Sequence, residues 1–312
     1  MKCLVLGGGG FIGSSVSEQL LKDGHSVRIF EHPRVSPYRP FRPDENAEWF
    51  AGDFLDISDV ERALEGIDVV IHLISTTLPK NSNENPIYDV ETNVIQLLKI
   101  LDVMLAKKIS RIIFTSSGGT IYGIPQFVPI TEDHPTNPIV SYGITKLTIE
   151  KFLLMYKKLH GLKPTILRVA NPYGERQSAK HMQGAVGVFL EKALADQAIE
   201  IWCDGSITRE YIYVGYVAKA FSKAITYNGT KSIFNIGSGR GIFLNELIDN
   251  LESALEKPII RVHLPSRDFD APINTLDISL AKRELDWEPE ISLHDGLKRT
   301  LLQLKRNLKK DH

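Results

Sequence analysis

The run Gly7-Gly8-Gly9-Gly10-Phe11-Ile12-Gly13 constrains this chain more than any other stretch of it. Before it, Lys2 to Leu6 reads as a short buried strand; after it, the apolar spacing is that of an amphipathic helix. Without Cβ atoms the backbone can turn tightly between the two and approach a pyrophosphate. Unpaired N–H groups at the helix opening near Phe11, together with the helix dipole, favour that negative charge. The spacing fits G-x-G-x-x-G through Gly8, Gly10 and Gly13, and G-x-x-G-x-x-G through Gly7, Gly10 and Gly13. A second strand, Ser26 to Phe30, ends at Glu31, about where an acidic side chain accepts the adenosine ribose hydroxyls of a dinucleotide. A carboxylate there repels a 2′-phosphate, so Glu31 favours NAD over NADP, although His32 and Arg34 nearby could pair with a phosphate.

Strands and helices continue to alternate. Trp49 to Gly52 reads as a third strand ending at Asp53-Phe54, and Val69 to Leu73 as a fourth, followed by the polar turn Ser75-Thr76-Thr77. A long helix is expected from about Ile87 to Lys107. Arg111 to Thr115 is the fifth strand, opening into Ser116-Ser117-Gly118-Gly119-Thr120, and Thr165 to Val169 is the sixth. This alternation predicts an α/β fold, a doubly wound parallel sheet of the Rossmann kind. Its expected division is a cofactor-binding domain over residues 1–170 and a smaller, interleaved α+β substrate-binding lobe over 171–312, some of whose elements return to the sheet. Ligands of such sheets bind at the carboxyl edge of the strands, which puts the loop at 116–120 at the site.

Tyr142 and Lys146 stand one helical turn apart on the helix after that loop, so their side chains project from the same face. A phenol with an unperturbed pKa near ~10 needs a neighbouring cation to exchange protons at neutral pH. Lys146 can supply it beside a bound ribose. On its own, Y-x-x-x-K also describes an aromatic residue packed beside a solvated lysine; the nucleotide turn upstream gives the pair its chemical reading.

With 37 basic and 38 acidic residues the chain has no global field for nucleic acid or an anionic membrane. Its 2 cysteines, Cys3 and Cys203, imply no disulfide framework. No metal site is expected. No targeting segment is apparent and no stretch approaches the ~18 uninterrupted apolar residues of a membrane span, so a cytoplasmic location is expected.

The chain resembles the extended short-chain dehydrogenase/reductases, and within them the nucleotide-sugar epimerases of the UDP-glucose/UDP-galactose 4-epimerase type. The likeness rests on GGGGFIG at 7–13, GDFLD at 52–56, SSGGTIYG at 116–123, SYGITK at 141–146 and LRVANPYG at 167–174. It continues through DGSITREYIYV at 204–214, FNIGSG at 234–239 and RELDWEPEISLHDGL at 283–297. The resemblance implies NAD as cofactor, held by Gly7, Gly10, Phe11, Ile12, Gly13 and Glu31, with Asp53 and Phe54 flanking adenine. Leu73, Ile74, Ser75, Asn93, Ser116 and Ala170 would line the cofactor alongside Tyr142 and Lys146. It further implies a UDP-linked sugar as substrate, met by Ser117, Gly118, Tyr142 and Asn171. Val188 and Ile201 would pack on the base, Arg209 and Arg267 would neutralise the diphosphate, and Asp270, which closes the R-x-x-D segment opened by Arg267, would join the substrate site.

In the reaction so implied, Tyr142 takes the proton of the C4 hydroxyl while hydride passes to NAD, and both return to the opposite face of a 4-keto sugar. Dehydratases of the family carry an Asp-Glu pair in the loop before Tyr122, and the decarboxylases usually a glutamate; this chain has Gly118-Gly119-Thr120-Ile121, which favours epimerisation. Three departures stand out. The usual loop hydroxyl falls on Gly118, leaving Ser117, the preferred reading, or Thr120 to serve. Tyr216 replaces an aspartate, and Asn274 replaces a bulkier residue beside the sugar, which would admit an N-acetylhexosamine. Family members usually dimerise through the helices at 87–107 and 142–160, so a homodimer is expected. Competing readings are a reductase or dehydrogenase with net NAD(P) turnover, and a non-catalytic relative of the fold.

Overall fold

Apolar runs with little polar alternation form strands covered on both faces, and the first half of this chain is built that way. The computed structural model describes residues 1–79, 81–177, 184–202, 204–265 and 272–308. β1 (Lys2–Leu6), α1 (Phe11–Lys22), β2 (Ser26–Glu31), β3 (Ala47–Ala51), α2 (Ile57–Ala63) and β4 (Val69–His72) come first. Then follow α3 (Pro86–Asp89), a π-helical stretch at Val90–Ile95, α4 (Gln96–Ala106), β5 (Arg111–Ser117), α5 (Ser141–His160) and β6 (Lys163–Val169). The expected single helix over 87–107 is thus three pieces. In the wider π turn the Asn93 amide reaches back to Asp89, a contact the apolar spacing does not announce.

The second half comprises β7 (Asn171–Tyr173), α6 (Ala185–Leu194), β8 (Ile199–Trp202), β9 (Thr208–Tyr213), α7 (Val214–Thr226), β10 (Ile233–Ile236) and β11 (Gly241–Phe243). It closes with α8 (Leu244–Leu255), β12 (Arg261–Leu264), α9 (Ser279–Leu285) and α10 (Leu293–Leu308).

Seven parallel strands form the main sheet in the order β10-β6-β5-β4-β1-β2-β3. The order reverses between β1 and β4, the switch point at which the loops leaving the two strands diverge and open a crevice. Side chains alternate between two cores: Cys3, Val5, Val27, Ile29 and Ile71 face one layer with α1 and α7, while Leu4, Leu6, Phe30, Val70 and Phe114 face the other with α4 and α5. β10 pairs with β6, Ile233 opposite Ile166, and α7 packs on α1, so the second half of the chain finishes the sheet begun by the first. α9 joins the first core through Ala281 and Leu285, while β7, α6, β8, β9, β11, α8 and α10 enclose a third around Tyr173, Leu190, Ile199, Ile201, Leu247 and Leu251. No helix among the described residues is long and apolar enough to cross a membrane.

Candidate active site

Gly7 has φ of +82°, and a Cβ on Gly13 would lie 2.0 Å from the Gly7 carbonyl oxygen. The first helix therefore rests directly on the turn, in the frame of Gly7, Gly10 and Gly13; Gly8 is also confined, by Ile29. The Glu31 carboxylate accepts from the Gly9 N–H at 3.1 Å, which holds an acidic group at the rim of the cradle. The Ile74 side chain closes on Gly7 from the loop after β4, flanked by Leu73 and Ser75, all three half-buried. This crevice, with backbone exposed where a Cβ would intrude, fits a dinucleotide pyrophosphate over Phe11 and Ile12 at the opening of α1.

Asp53 is exposed beyond the end of β3, with its carboxylate on the Leu55 N–H. Phe54 departs from the expectation: its ring is buried edge-on to His72 at 5.5 Å, so only Asp53 and the local main chain are left to face an adenine. Asn93 is buried, and its amide is engaged with Thr76 and Asp89, so it holds the loop after β4. Ser116 is also spent, its hydroxyl donating to Glu150. Ala170 is buried, its N–H on Ile236.

Tyr142 and Lys146 lie in the first two turns of α5. The Lys146 ammonium is buried, donates to the Thr115 carbonyl at 3.1 Å, and stands 4.9 Å from the Phe114 ring centre and 5.5 Å from that of Tyr142. Burial pulls this ammonium down to about 8, against the opposing pull of Asp89 and Glu150. Burial pushes the Tyr142 phenol up to about 12; the Asp89 charge adds to the rise and hydrogen bonding by Ser75 works against it. The site thus holds a protonated phenol beside a cation whose charge is only partly solvated, an arrangement that favours phenolate once a second positive charge arrives.

Behind this pair Glu150 and Arg168 form a buried ion pair at 2.7 Å, and Arg168 also donates to the Tyr122 hydroxyl, which in turn donates to Asn235. The network ties α5 to β5, β6 and β10. His72 is buried with both ring nitrogens unpartnered, and burial followed by the Lys146 charge lowers it to about 3.

In the loop after β5, Gly118 is buried and its carbonyl accepts from the Asn274 amide at 3.1 Å. Ser117 is half-buried and makes no side-chain hydrogen bond among the described residues, whereas Thr120 Oγ1 is buried without a partner. Asn274 itself is 2 % exposed and braces the loop through its amide nitrogen, while its Oδ1 is buried without a partner. Asn171 is half-buried, donating to the Glu210 carbonyl at 2.8 Å.

Arg209 is half-buried on β9, with Nη1 on the Thr208 carbonyl. Its neighbour Glu210 is fully buried, accepts from the Leu276 and Gly239 N–H groups, and is raised to about 7 by burial. Val188 is half-buried on α6. Ile201 is a correction: its side chain is wholly enclosed in the third core and cannot pack on a base. Arg267, Asp270 and Cys203 lie outside the described residues. Tyr216, in the place of the aspartate, is buried and its hydroxyl donates to Glu290. Among the described residues no group of His, Cys, Asp and Glu is arranged to hold a metal ion.

Sequence reasoning passed over Asp89, His72, Glu150, Arg168 and Glu210. Only Asp89 left a local signal, one turn before Asn93 on the same helix.

A model of the NAD dependent epimerase/dehydratase family matches residues 3–237. A UDP-glucose 4-epimerase of Mycolicibacterium smegmatis is 32% identical over 96% of this chain and 97% of its own length. The crystal structure of a UDP-glucose 4-epimerase of Thermotoga maritima with UDP-glucose superposes with a TM-score of 0.92 at 34% identity, covering 99% of this chain and 100% of that one. That of Thermus thermophilus, a complex with NAD, gives 0.87 at 29%, covering 98% and 99%. The glycine cradle, the tyrosine–lysine pair and this likeness along nearly the whole length agree: the chain belongs to the NAD dependent epimerase/dehydratase family.

Proposed function

We propose that the protein is an NAD-dependent nucleotide-sugar 4-epimerase acting on a UDP-hexose or UDP-N-acetylhexosamine. The observation that carries the reading is Lys146, buried against the Thr115 carbonyl and facing the Tyr142 ring, above a loop without carboxylates between Ser117 and Ile121. NAD bound over the glycine turn supplies the hydride acceptor and donor for the sugar C4. Gly7, Gly10 and Gly13 admit its pyrophosphate, and Glu31 takes its ribose hydroxyls. Tyr142 removes the proton of the C4 hydroxyl as the C4–H bond breaks, and Lys146 lowers the cost of the phenolate throughout. Once the 4-keto sugar presents its other face, Tyr142 gives the proton back to the C4 oxygen. Ser117 positions that oxygen. Arg209 and Arg267 neutralise the diphosphate, Asp270 of the same R-x-x-D segment as Arg267 contacts the substrate, and Asn171 and Val188 bound the sugar and base.

A net reductase would need an outside supply of reduced cofactor; an epimerase keeps its own. Purified protein carrying NAD(H) through gel filtration and interconverting UDP-glucose with UDP-galactose, or their N-acetyl counterparts, without added cofactor supports the reading. Stoichiometric consumption of NAD(P)H with a new alcohol as product would replace it with the reductase.

The same reading makes the protein a cytoplasmic homodimer. Support for the dimer comes from apolar side chains left exposed on the helical segments beside the sheet, Ile87, Val90 and Ile95 on one and Ile144, Met155 and Leu159 on the other.

A further inference from the structure

The helix that carries Tyr142 has no cap of its own. Val140 precedes it in extended conformation and offers no side-chain acceptor, while the opening N–H groups of any helix lack intrahelical partners. Another segment takes them: Asn83 Oδ1 accepts from the Ser141 N–H at 2.8 Å and Ser82 Oγ from the Tyr142 N–H at 3.1 Å. Directly after that segment, α3 ends at Asp89, a carboxylate with no exposed surface. Its Oδ1 accepts from Thr77 Oγ1 at 2.6 Å and from Asn93 Nδ2 at 3.0 Å. Its Oδ2 accepts from Ser141 Oγ at 2.7 Å and from Thr145 Oγ1 at 2.9 Å.

These donors come from three places. Ser141 and Thr145 bracket Tyr142 on α5; Thr77 belongs to the loop after β4 that lines the cofactor crevice; Asn93 belongs to the π turn and also holds Thr76. All four are neutral, and no ion pair to Asp89 forms among the described residues. Enclosing an unpaired carboxylate is expensive. Four hydrogen bonds offset the cost, yet neutral residues of similar shape would fill the same space more cheaply. The charge and its geometry therefore serve something other than stability.

We propose that Asp89 is a positioning residue of the active site, locking the turn of α5 that bears Tyr142 onto the loop after β4 so that phenol and cofactor crevice keep one relative placement. The inference deepens the epimerase reading and rests on it. The carboxylate also shapes the field in which Tyr142 works, since it raises the phenol and helps Lys146 stay charged. The other titratable groups around this pair are Glu150 on α5, Arg168 on β6, paired to Glu150, and His72 on β4, held neutral. Burial first, and the Asp89 charge in addition, thus keep Tyr142 a protonated phenol until positive charge arrives with the cofactor.

The test uses the full-length protein with two readouts: steady-state epimerisation, and titration of the Tyr142 phenolate by ultraviolet absorbance, taken as the difference from the same protein bearing Tyr142→Phe. For Asp89→Asn the expected result is a phenol midpoint lower by about one pH unit, with kcat down about tenfold and KM within about twofold. An unmoved midpoint with kcat near the parent value overturns the proposal. Ser141→Ala with Thr145→Val keeps the carboxylate and cuts its hold on α5; a tenfold loss of kcat at constant KM supports the proposal and full turnover overturns it, including where Asp89→Asn does not fold. Should the parent protein interconvert no nucleotide sugar, the epimerase reading fails by itself, while the phenol titration, which needs no substrate, still decides for or against Asp89.

Discussion

Leu276 Cδ1 lies 2.6 Å from the point where a Cβ on Gly118 would sit. A side chain at Gly118 would have to displace the end of the Leu276 side chain and sit 3.1 Å from the Arg168 carbonyl oxygen, and the Asn274 amide on the Gly118 carbonyl pins the same peptide. On the epimerase reading, Gly118 itself offers no hydroxyl to the sugar, and a neighbour supplies it. Ser117→Ala should lower kcat by about a hundredfold, against less than about threefold for Thr120→Val. Turnover measured for both variants under saturating substrate decides the matter, and the reverse ranking would move the role to Thr120, whose buried Oγ1 lacks a partner.

Gly13→Ala places a methyl group 2.0 Å from the Gly7 carbonyl oxygen, backbone that cannot step aside without lifting the helix opening away from the turn. Such overpacking costs about 1–3 kcal/mol and spoils the pyrophosphate cradle. Protein purified with this substitution should carry less than about a tenth of the parent's NAD, read by releasing the cofactor with acid and assaying it. Parent-like NAD content would mean that the helix does not need to sit so close.

Lys146 gives a pH signature. Its folded value of about 8 lies below the ordinary 10.5, so between those values the unfolded chain binds a proton that the folded chain has lost. Stability therefore rises as pH climbs from about 8 to 10.5, and the burden of the buried charge is fully felt below 8. Lys146→Met should raise the melting temperature at pH 7 by about 2 °C, despite about 1 kcal/mol lost at the Thr115 carbonyl, and abolish the alkaline rise. Turnover should fall at least about a hundredfold. Calorimetry across that pH range checks it; a variant less stable than the parent at pH 7 counts against the assignment.

His72 predicts the acid limb. With a folded value of about 3 against an ordinary 6.5, the unfolded chain gains a proton that the folded chain refuses, so stability is lost as pH falls from 6.5 towards 3. His72→Leu removes that contribution, and urea unfolding at pH 7 and pH 4.5 should show a gap about 1–2 kcal/mol smaller than in the parent. Identical gaps would mean that the ring is solvated or protonated in the folded protein.

The exposed apolar residues of α5 make the dimer testable. Ile144→Glu combined with Leu159→Glu should convert a dimer to a monomer in sedimentation velocity without altering the far-ultraviolet circular dichroism. A single species of unchanged mass in both proteins would place the interface elsewhere.

What could be read beforehand was local. The glycine turn, the strand that ends at Glu31 and the pair Tyr142 and Lys146 each declare themselves within a few residues, because a tight turn, a buried strand and a shared helix face need particular side chains at fixed spacing. What escaped was made by distant segments meeting. Asn83 and Ser82 cap a helix that begins far along the chain, and Arg168 finds Glu150 across the sheet; no periodicity carries that information. The π turn was hidden because the apolar pattern of 87–107 runs through it unbroken. Ile201 misled for the opposite reason, since an isoleucine on a strand looks the same whether it faces a ligand or a core.

β10 runs beside β6, and α7 covers the face next to α1, so elements from late in the chain are woven into the sheet begun by the first half. A protein cut after residue 170 would expose one edge of β6 and strip the sheet of a covering helix, inviting self-association through the bared strand. Grafting the carboxyl-terminal half onto another scaffold would have to carry β10 and α7 with it, so changing this architecture piecemeal is a matter of exchanging loops, not modules.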